Sequence, residues 1–241
     1  MSKNDLIAQH NPKSPASEAY RMIRTNLEYA GVTGSKKVIL ITSALAGEGK
    51  TTTLTNLAVT LAHSGLKILV VDADLRRPSI HKVFHIRKSP GLTNYLVKDI
   101  PVGDIIQKNT PLDQLHYMAA GANPPLASEL LASQKMIDLL QQCRDEYDYI
   151  LVDSPPLLSV TDASILATRV DGTILCIAQG KTNVEAVKAA KRSLDKVNAS
   201  VLGAVLTKAE FTKGIYAYHY YDYQYMEDEE HRKRNWFGRK K

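Results

Sequence analysis

The sequence has few of the features that mark a secreted, disulfide-bonded or membrane-spanning protein. Its two cysteines, Cys143 and Cys176, lie far apart in apolar contexts, which suits neither a disulfide framework nor a C-x-x-C redox motif. The longest apolar runs fall well short of the roughly 18 residues that a membrane helix needs. The first residues are polar and lack the apolar core of a secretory signal. We therefore expect a cytoplasmic protein with two buried thiols.

An excess of positive charge is absent from most of the chain. The net charge of +6 comes from residues 231–241, which hold six Lys and Arg and no acid, whereas residues 1–230 carry 25 basic and 25 acidic side chains. We therefore expect no nucleic-acid partner for the folded domain. The basic end of the chain suits either a contact with anionic lipid or a solvated tail, and its charge alone does not separate the two.

The body of the chain has the composition and pattern of one α/β domain. Hydrophobic residues make up 44% and charged residues 23% of its 241 residues, which is near the globular average. Five continuous, β-branched-rich runs alternate with helical segments, as in a doubly wound, mostly parallel sheet with helices on both faces. The predicted strands are 37–42, 67–71, 149–152, 173–178 and 201–206. We expect an N-terminal arm in residues 1–35, the domain in residues 36–208 and a flexible tail in residues 209–241.

A phosphate-binding loop follows the first predicted strand. Residues 43–52 read SALAGEGKTT and precede a predicted helix. Glycines let backbone N–H groups point at phosphate oxygens, a lysine reaches the β- and γ-phosphates, and a hydroxyl ligates Mg²⁺. Ala44 stands where the strict P-loop pattern has glycine, which leaves an ordinary glycine turn as the alternative. The predicted ATP-binding residues are Gly47, Glu48, Gly49, Lys50, Thr51 and Thr52.

Carboxylates follow two further strands. Asp153 ends a hydrophobic run, as in a Walker B motif, and is predicted to hold Mg²⁺. Asp72 and Asp74 end another strand, where one of them can act as a general base for an incoming hydroxyl. Asp72 is the first choice for the base, and Asp74 is predicted to share metal or base duty. The alternative is a pair of turn carboxylates bridged to Arg76 or Arg77.

The C-terminal region is rich in tyrosine. Six of the twelve tyrosines lie within ten residues, followed by the acidic run Glu227–Glu230 and the basic end. This composition suits a flexible substrate arm, with an aromatic adhesive surface as the alternative. The predicted phosphorylation sites are Tyr216, Tyr218, Tyr220, Tyr221, Tyr223 and Tyr225.

Taken together, these motifs resemble those of the bacterial tyrosine kinases. The resemblance rests on GEGKT at 47–51, DADLRRP at 72–78, SPP at 154–156 and SEAYRMIRTN at 17–26. It implies a P-loop NTPase fold with Walker A, A′ and B motifs. It also implies an ATP- and Mg²⁺-dependent kinase that uses Lys50, Asp72 and Asp74 in catalysis and holds its metal with Thr51, Asp74 and Asp153. The cytoplasmic kinase subunits of capsular and exopolysaccharide systems are the most similar members.

The resemblance also implies partners. The E-x-x-R-x-x-R element of Glu18, Arg21 and Arg24 corresponds to subunit contacts in a closed homo-oligomeric ring, and the tyrosine cluster is expected to be phosphorylated between subunits. A transmembrane activator is expected to recruit the kinase to the inner face of the cell membrane through its cytoplasmic tail. A counteracting phosphotyrosine phosphatase and protein substrates that are modified on tyrosine complete the expected set.

Three departures and one rival accompany this resemblance. Ala46 replaces a common proline, Leu126-Ala127 replace the usual Asn-Pro, and Thr207 stands where the family tends to have an asparagine that contacts adenine. The rival hypothesis is a ParA- or MinD-like ATPase switch without kinase activity. That group carries a signature lysine five residues before the P-loop lysine, and this chain has Leu45 there.

Overall fold

The computed structural model describes residues 6–30, 36–98, 100–108 and 112–210, and it arranges them around one seven-stranded sheet. The strands are β1 Val38–Ser43, β2 Ile68–Asp72, β3 Ile106–Gln107, β4 Leu115–Met118, β5 Tyr149–Asp153, β6 Gly172–Ala178 and β7 Val201–Thr207. The helices are α1 Ile7–His10, α2 Pro15–Ala30, α3 Lys50–His63, α4 Ile80–Val83, α5 Leu92–Val97, α6 Val102–Ile105, α7 Ala127–Ala132, α8 Gln134–Arg144, α9 Asp162–Ala167 and α10 Val184–Lys196. The predicted phosphorylation sites and the basic end lie outside the described residues.

The sheet is doubly wound. Its strand order is β3-β4-β2-β5-β1-β6-β7, and every neighbouring pair is parallel except β3 and β4. The predicted fold class is therefore confirmed. Because the five central strands are parallel, their carboxyl ends meet at one edge, where open α/β sheets bind their ligands.

Both faces of the sheet are buried, which explains the continuous apolar strands. Along β1, Val38 and Leu40 contact one hydrophobic cluster, whereas Ile39 and Ile41 contact the other. Helices α8, α9 and α10 cover the first face, and α1, α2 and α3 cover the second. This alternation of buried side chains is what a three-layer sandwich requires.

The N-terminal helices pack against the domain. Leu27 of α2 and Ala8 of α1 are buried in the cluster of α3, and the Ala8 N–H donates to Asn56 Oδ1 at 2.9 Å. Residues Met1–Thr207 form one compact unit. The division into arm, domain and tail stays a prediction.

The five predicted strands correspond to β1, β2, β5, β6 and β7, and both cysteines are buried and free as expected. The prediction missed β3 and β4. Strand β4 contains only Leu115–Met118, and two of its four residues are His116 and Tyr117, so it has no apolar run. No helix within the described ranges is both long and apolar enough to cross a bilayer.

Candidate nucleotide-binding and catalytic site

The register of two neighbouring strands brings two aspartates side by side. Asp72, the last residue of β2, pairs with Asp153, the last residue of β5. Both side chains are fully buried. Because β1 lies on the other side of β5, the loop that follows Ser43 begins at the same edge of the sheet. The strand order therefore places the predicted Walker motifs next to one another at one edge of the sheet.

The Walker A loop is built for a backbone approach to an anion. Gly47 and Gly49 have φ values of 72° and 85°, in the left-handed region that side chains disfavour. The 14-residue helix α3 begins at Lys50, directly after the second of these glycines. The positive end of its dipole and its free N–H groups thus face the loop, as in nucleotide phosphate sites.

Glu48 holds this loop from inside the protein. Its carboxylate is fully buried, accepts a hydrogen bond from the Leu45 N–H at 2.9 Å, and accepts another from the Thr182 hydroxyl. The Thr207 hydroxyl donates to the Glu48 carbonyl at 2.6 Å, and the Lys181 ammonium donates to the Ala46 carbonyl at 2.8 Å. The ends of β6 and β7 are therefore tied to the loop.

Lys50 lies between two carboxylates. Its Nζ is 3.4 Å from Asp74 Oδ2 and 3.8 Å from Asp153 Oδ1. Burial opposes the charge of the Lys50 ammonium, but Asp153 and Asp74 outweigh burial and raise its pKa. The Thr51 hydroxyl donates to Asp153 Oδ2 at 2.7 Å. Lysine, threonine and two aspartates thus form one connected group.

The two carboxylate oxygens of Asp72 differ in the hydrogen bonds that they accept. Its Oδ2 accepts hydrogen bonds from the Ser79 and Ile80 N–H groups, each at 3.0 Å. Its Oδ1 is buried and accepts no hydrogen bond from the part of the chain that the structure describes. Burial, and then the charge of Asp153, raises the pKa of Asp72 to about 7. A carboxylate with a free oxygen and a pKa near neutrality suits a general base.

The charges of this group call for a cation. Three buried carboxylates face one ammonium, and Asp153 Oδ1, like Asp72 Oδ1, accepts no hydrogen bond from a described residue. Oxygen donors with unsatisfied negative charge fit a hard divalent ion such as Mg²⁺. The described residues contain no cage of three or more His, Cys, Asp or Glu side chains. A nucleotide-bound Mg²⁺ does not need one, because it keeps several waters and takes phosphate oxygens as ligands.

The structure thus brings most of the predicted site residues together. Gly47, Gly49, Lys50, Thr51, Asp72, Asp74 and Asp153 meet at the carboxyl edge of the sheet. Thr52 is exposed on the first turn of α3, and the Glu48 side chain is used within the protein. Glu18 and Arg21 pair with each other on α2, and Arg24 lies 3.7 Å from Glu28. The roles assigned to these residues stay predictions.

Sequence reasoning missed the residues that hold the site in shape. Ser79 was not singled out, although its N–H binds Asp72 and its hydroxyl lies 3.4 Å from Thr51 Oγ1. The contacts of Lys181 and Thr182 were also missed, because they reach the loop from more than 130 residues away. Arg76 pairs with buried Asp162 through two hydrogen bonds of 2.8 and 3.0 Å. The Arg76 guanidinium therefore binds Asp162 and does not bridge Asp72 and Asp74, whereas Arg77 contacts Asp74 through its backbone N–H.

Comparisons with known proteins agree with this geometry. The family model described as "AAA domain" matches residues 36–205. The tyrosine-protein kinase YwqD of Bacillus subtilis is 40% identical over 211 residues, which cover 88% of this chain and 89% of the relative. The kinase domain of Escherichia coli tyrosine kinase ETK superposes with a TM-score of 0.80 at 31% identity, covering 87% of this chain and 83% of the other. The chimerical protein CapA2B2 also gives 0.80, at 33% identity, with 86% and 90% covered.

The rival group is also structurally similar, but less so. The cell-division ATPase MinD of Pyrococcus furiosus gives a TM-score of 0.61 at 27% identity and covers 71% of each chain. At the signature-lysine position, Leu45 uses its N–H to bind Glu48, and its side chain is partly exposed. Fold and sequence similarity therefore both favour the kinase group over the ATPase switches.

The raised pKa of Asp72 predicts that this residue reduces the stability of the ligand-free protein. An unfolded aspartate titrates near 3.9, whereas folded Asp72 titrates at about 7. The folded state therefore binds more protons between these values, and its stability falls as the pH rises through them. We expect Asp72→Asn to raise the Tm at pH 8 by about 3 °C or more. The gain should be smaller at pH 5.5. Calorimetry without nucleotide or Mg²⁺ measures both values.

Asp138→Asn is the matched control, because Asp138 is exposed on α8 and only accepts a hydrogen bond from Gln134. It should change the Tm little, and equally at both pH values. A lower Tm for Asp72→Asn than for the parent protein at pH 8 would contradict the assignment of a costly buried charge.

Proposed function

The chain belongs to the bacterial tyrosine-protein kinases of capsule and exopolysaccharide systems, and we propose that it transfers the γ-phosphoryl group of ATP to tyrosines of its own C-terminal cluster. The observation that carries this proposal is the group formed by Lys50, Thr51 and three aspartates, Asp72 and Asp153 at strand ends and Asp74 just after β2, beside a Walker A loop. The Walker A loop supplies the phosphate-binding part of the site. The aspartates at and just after the end of β2 supply a proton acceptor.

The Walker A loop binds and orients the nucleotide in this proposal. Backbone N–H groups of residues 47–51 contact the phosphates, and the Lys50 ammonium stabilises the charge that develops on the transferring group. Thr51, Asp74 and Asp153 are the residues that would hold Mg²⁺. Bound there, Mg²⁺ would supply positive charge that offsets the negative charge of the phosphates.

Asp72 takes the proton of the acceptor. The tyrosine hydroxyl oxygen forms a bond to the γ-phosphorus, the bond from that phosphorus to the β,γ-bridging oxygen breaks, and ADP leaves. The hydroxyl proton passes to Asp72 Oδ1, the oxygen that accepts no hydrogen bond from the described residues. Asp74 is less suited to this step, because Oδ2 contacts Lys50 and Oδ1 accepts from the Arg77 N–H.

Variants of the charged group test this assignment. We expect Lys50→Met to lower phosphotyrosine formation at least about 100-fold, because it removes the cation at the transferring phosphate. Asp72→Asn should lower phosphotransfer to a similar degree while nucleotide affinity is kept. Asp74→Asn should instead weaken Mg²⁺-dependent nucleotide binding. Phosphotyrosine blots and titrations with a fluorescent nucleotide separate these effects.

Lys196→Met, at the exposed end of α10, serves as the control and should keep full activity. Circular dichroism must show a folded protein for each variant. Undiminished phosphotyrosine in Lys50→Met would remove this loop from the reaction. Full activity in Asp72→Asn, together with its loss in Asp74→Asn, would exchange the two assigned roles.

Phosphorylation between copies requires an assembly, and we propose that α2 forms its contact surface in a closed ring. Besides Glu18, Arg21 and Arg24, this helix exposes Met22 at 56% and Tyr29 at 73%. Directional Arg–carboxylate contacts beside exposed apolar side chains are typical of subunit interfaces. Within one copy Glu18 pairs with Arg21, and both side chains are partly exposed to solvent.

Charge reversal of this helix tests the ring. We expect Arg21→Glu and Arg24→Glu together, with Glu18 unchanged, to convert the oligomer to monomer in light scattering, because the element then carries three carboxylates and no positive charge that can pair across the interface. The control reverses two exposed residues of α10, with Lys188→Glu and Arg192→Glu. An assembly of unchanged mass in the α2 variant would exclude this helix from the interface.

The cellular setting completes the proposal. We propose that a transmembrane activator recruits the kinase to the inner face of the membrane through a cytoplasmic tail, and that a phosphatase reverses the modification. The family membership supports both partners, and the basic residues 232–241 offer an added contact with anionic lipid. Kinase activity that is equal with and without the activator's tail, and no membrane association in cells, would refute recruitment.

A further inference from the structure

A strongly basic segment begins two residues after Asp74. Residues 76–88 read RRPSIHKVFHIRK and contain five Lys or Arg, two His and no acid. Basic and acidic side chains are equal in number over residues 1–230, so this run is much more basic than the rest of that region. We call residues 76–88 the basic segment.

The fold presents the charges of this segment to solvent on a fixed support. Ile80 is fully buried, and the Phe84 ring contacts the Tyr117 ring with centroids 4.2 Å apart. Lys82, between these two apolar anchors, and Arg87, three residues after Phe84, are exposed. The buried apolar side chains fix the backbone of the segment, and Lys82 and Arg87 project from this fixed backbone into solvent.

Most of these charges have no acidic partner within the described ranges. Arg76 pairs with Asp162, and Lys88 donates to the neutral Asn123 Oδ1 at 2.8 Å. Arg77, Lys82 and Arg87 form no ion pair with a described residue. Positive potential in this region also acts on the neighbouring His81, because burial and then the charges of Lys82 and Lys88 lower its pKa. Exposed like charges without internal partners form a surface that attracts an anionic ligand.

The basic segment is joined to the reacting group. The Arg77 N–H donates to Asp74 Oδ1 at 2.9 Å, and the Ser79 and Ile80 N–H groups donate to Asp72 Oδ2. At its other end, the Lys88 carbonyl accepts from the Gly121 N–H at 3.0 Å. A ligand bound along this surface therefore lies beside the carboxylate that receives the acceptor proton in the proposed reaction.

We propose that the basic segment is the docking surface for an acidic tyrosine peptide, and that its occupant is residues 216–230 of a second copy of this chain. This inference rests on the proposed kinase function and adds the surface that binds its substrate. Residues 216–230 contain six tyrosines, five acids and no Lys or Arg. Residues 216–230 therefore carry negative charge that complements the positive surface. They also carry the tyrosine hydroxyl groups that the reaction phosphorylates.

Chain length allows several tyrosines to use the same acidic anchor. The run Glu227–Glu230 begins two residues after Tyr225 and eleven after Tyr216. Fully extended, these separations span at most about 7 and 38 Å. One bound acidic run therefore allows different tyrosines of the cluster to reach the same proton acceptor in turn.

Peptide kinetics test the docking surface. One substrate is residues 216–230, and the other carries Glu227→Gln, Asp228→Asn, Glu229→Gln and Glu230→Gln. The enzyme is the full chain with its six cluster tyrosines changed to Phe. We expect the acidic peptide to have a roughly tenfold lower KM, with a difference that shrinks at high salt. Lys82→Glu with Arg87→Glu should reduce this preference to about one.

The control pair is Arg169→Glu with Lys196→Glu, two exposed positions outside the basic segment, of which the first lies two residues after α9 and the second lies at the end of α10. This pair should keep the tenfold preference. Where the double reversal in the basic segment lowers the Tm, Lys82→Gln with Arg87→Gln should weaken the preference in the same direction.

The outcomes separate docking from kinase activity. Equal KM values for both peptides, or an unchanged preference in the Lys82 and Arg87 variants, would overturn the docking surface while the kinase function stands. Phosphorylation of neither peptide would overturn the kinase function. In that case, the fluorescence anisotropy of the labelled acidic peptide, measured with the same proteins, tests docking independently of phosphorylation. Loss of binding to anionic phosphatidylserine vesicles in the variants, with peptide KM unchanged, would assign the surface to lipid instead.

Discussion

One ammonium group shared among three buried carboxylates is the constraint on which the site depends. Asp72 and Asp153 are adjacent because their strands are in register, and Lys50 reaches Asp153 and Asp74 because α3 starts at the same edge. Such a group is costly to bury without compensation. A divalent cation that enters with the nucleotide supplies compensation, so the carboxylates that weaken the empty fold are also the groups that would hold the cation. This is the pattern expected where function is built at the expense of stability.

The Walker A loop depends on side chains that take no part in the chemistry. Glu48 binds the Leu45 N–H and the Thr182 hydroxyl from within the protein, and Thr207 binds the Glu48 carbonyl. These contacts join the ends of β6 and β7 to the loop, so its shape is set before a ligand arrives. Preorganised donors are more effective than flexible ones, because no reorganisation is needed during the reaction. Thr207 thus has a structural contact of its own, at the position where the resemblance implied adenine recognition.

The sequence was most informative where motif and strand coincide. The Walker motifs each come at the end of a continuous apolar strand, and the carboxyl ends of parallel strands meet at one edge, which is why Lys50, Asp72 and Asp153 lie together. Strand β4 could not be predicted in the same way, because Tyr117 and His116 interrupt its apolar character. The partners of Glu48 and Asp162 were hidden for another reason. Hydrogen bonds from Thr182 to Glu48, and from Arg76 to Asp162, join residues far apart in sequence and follow no local spacing.

The charges of the chain agree with a reaction between copies. The basic segment lies beside the reacting carboxylates, whereas the tyrosine cluster is followed by acidic residues. The surface of the enzyme and its substrate therefore carry opposite charges. A mixture of two variants tests transfer between copies most directly. One copy carries Lys50→Met and keeps its tyrosines, and the other has an intact site but Phe at the six cluster positions. With ATP and Mg²⁺, the account predicts phosphotyrosine on the Lys50→Met copy in the mixture and on neither copy alone. An unmodified Lys50→Met copy in the mixture, under conditions where the unaltered chain becomes phosphorylated, would contradict it.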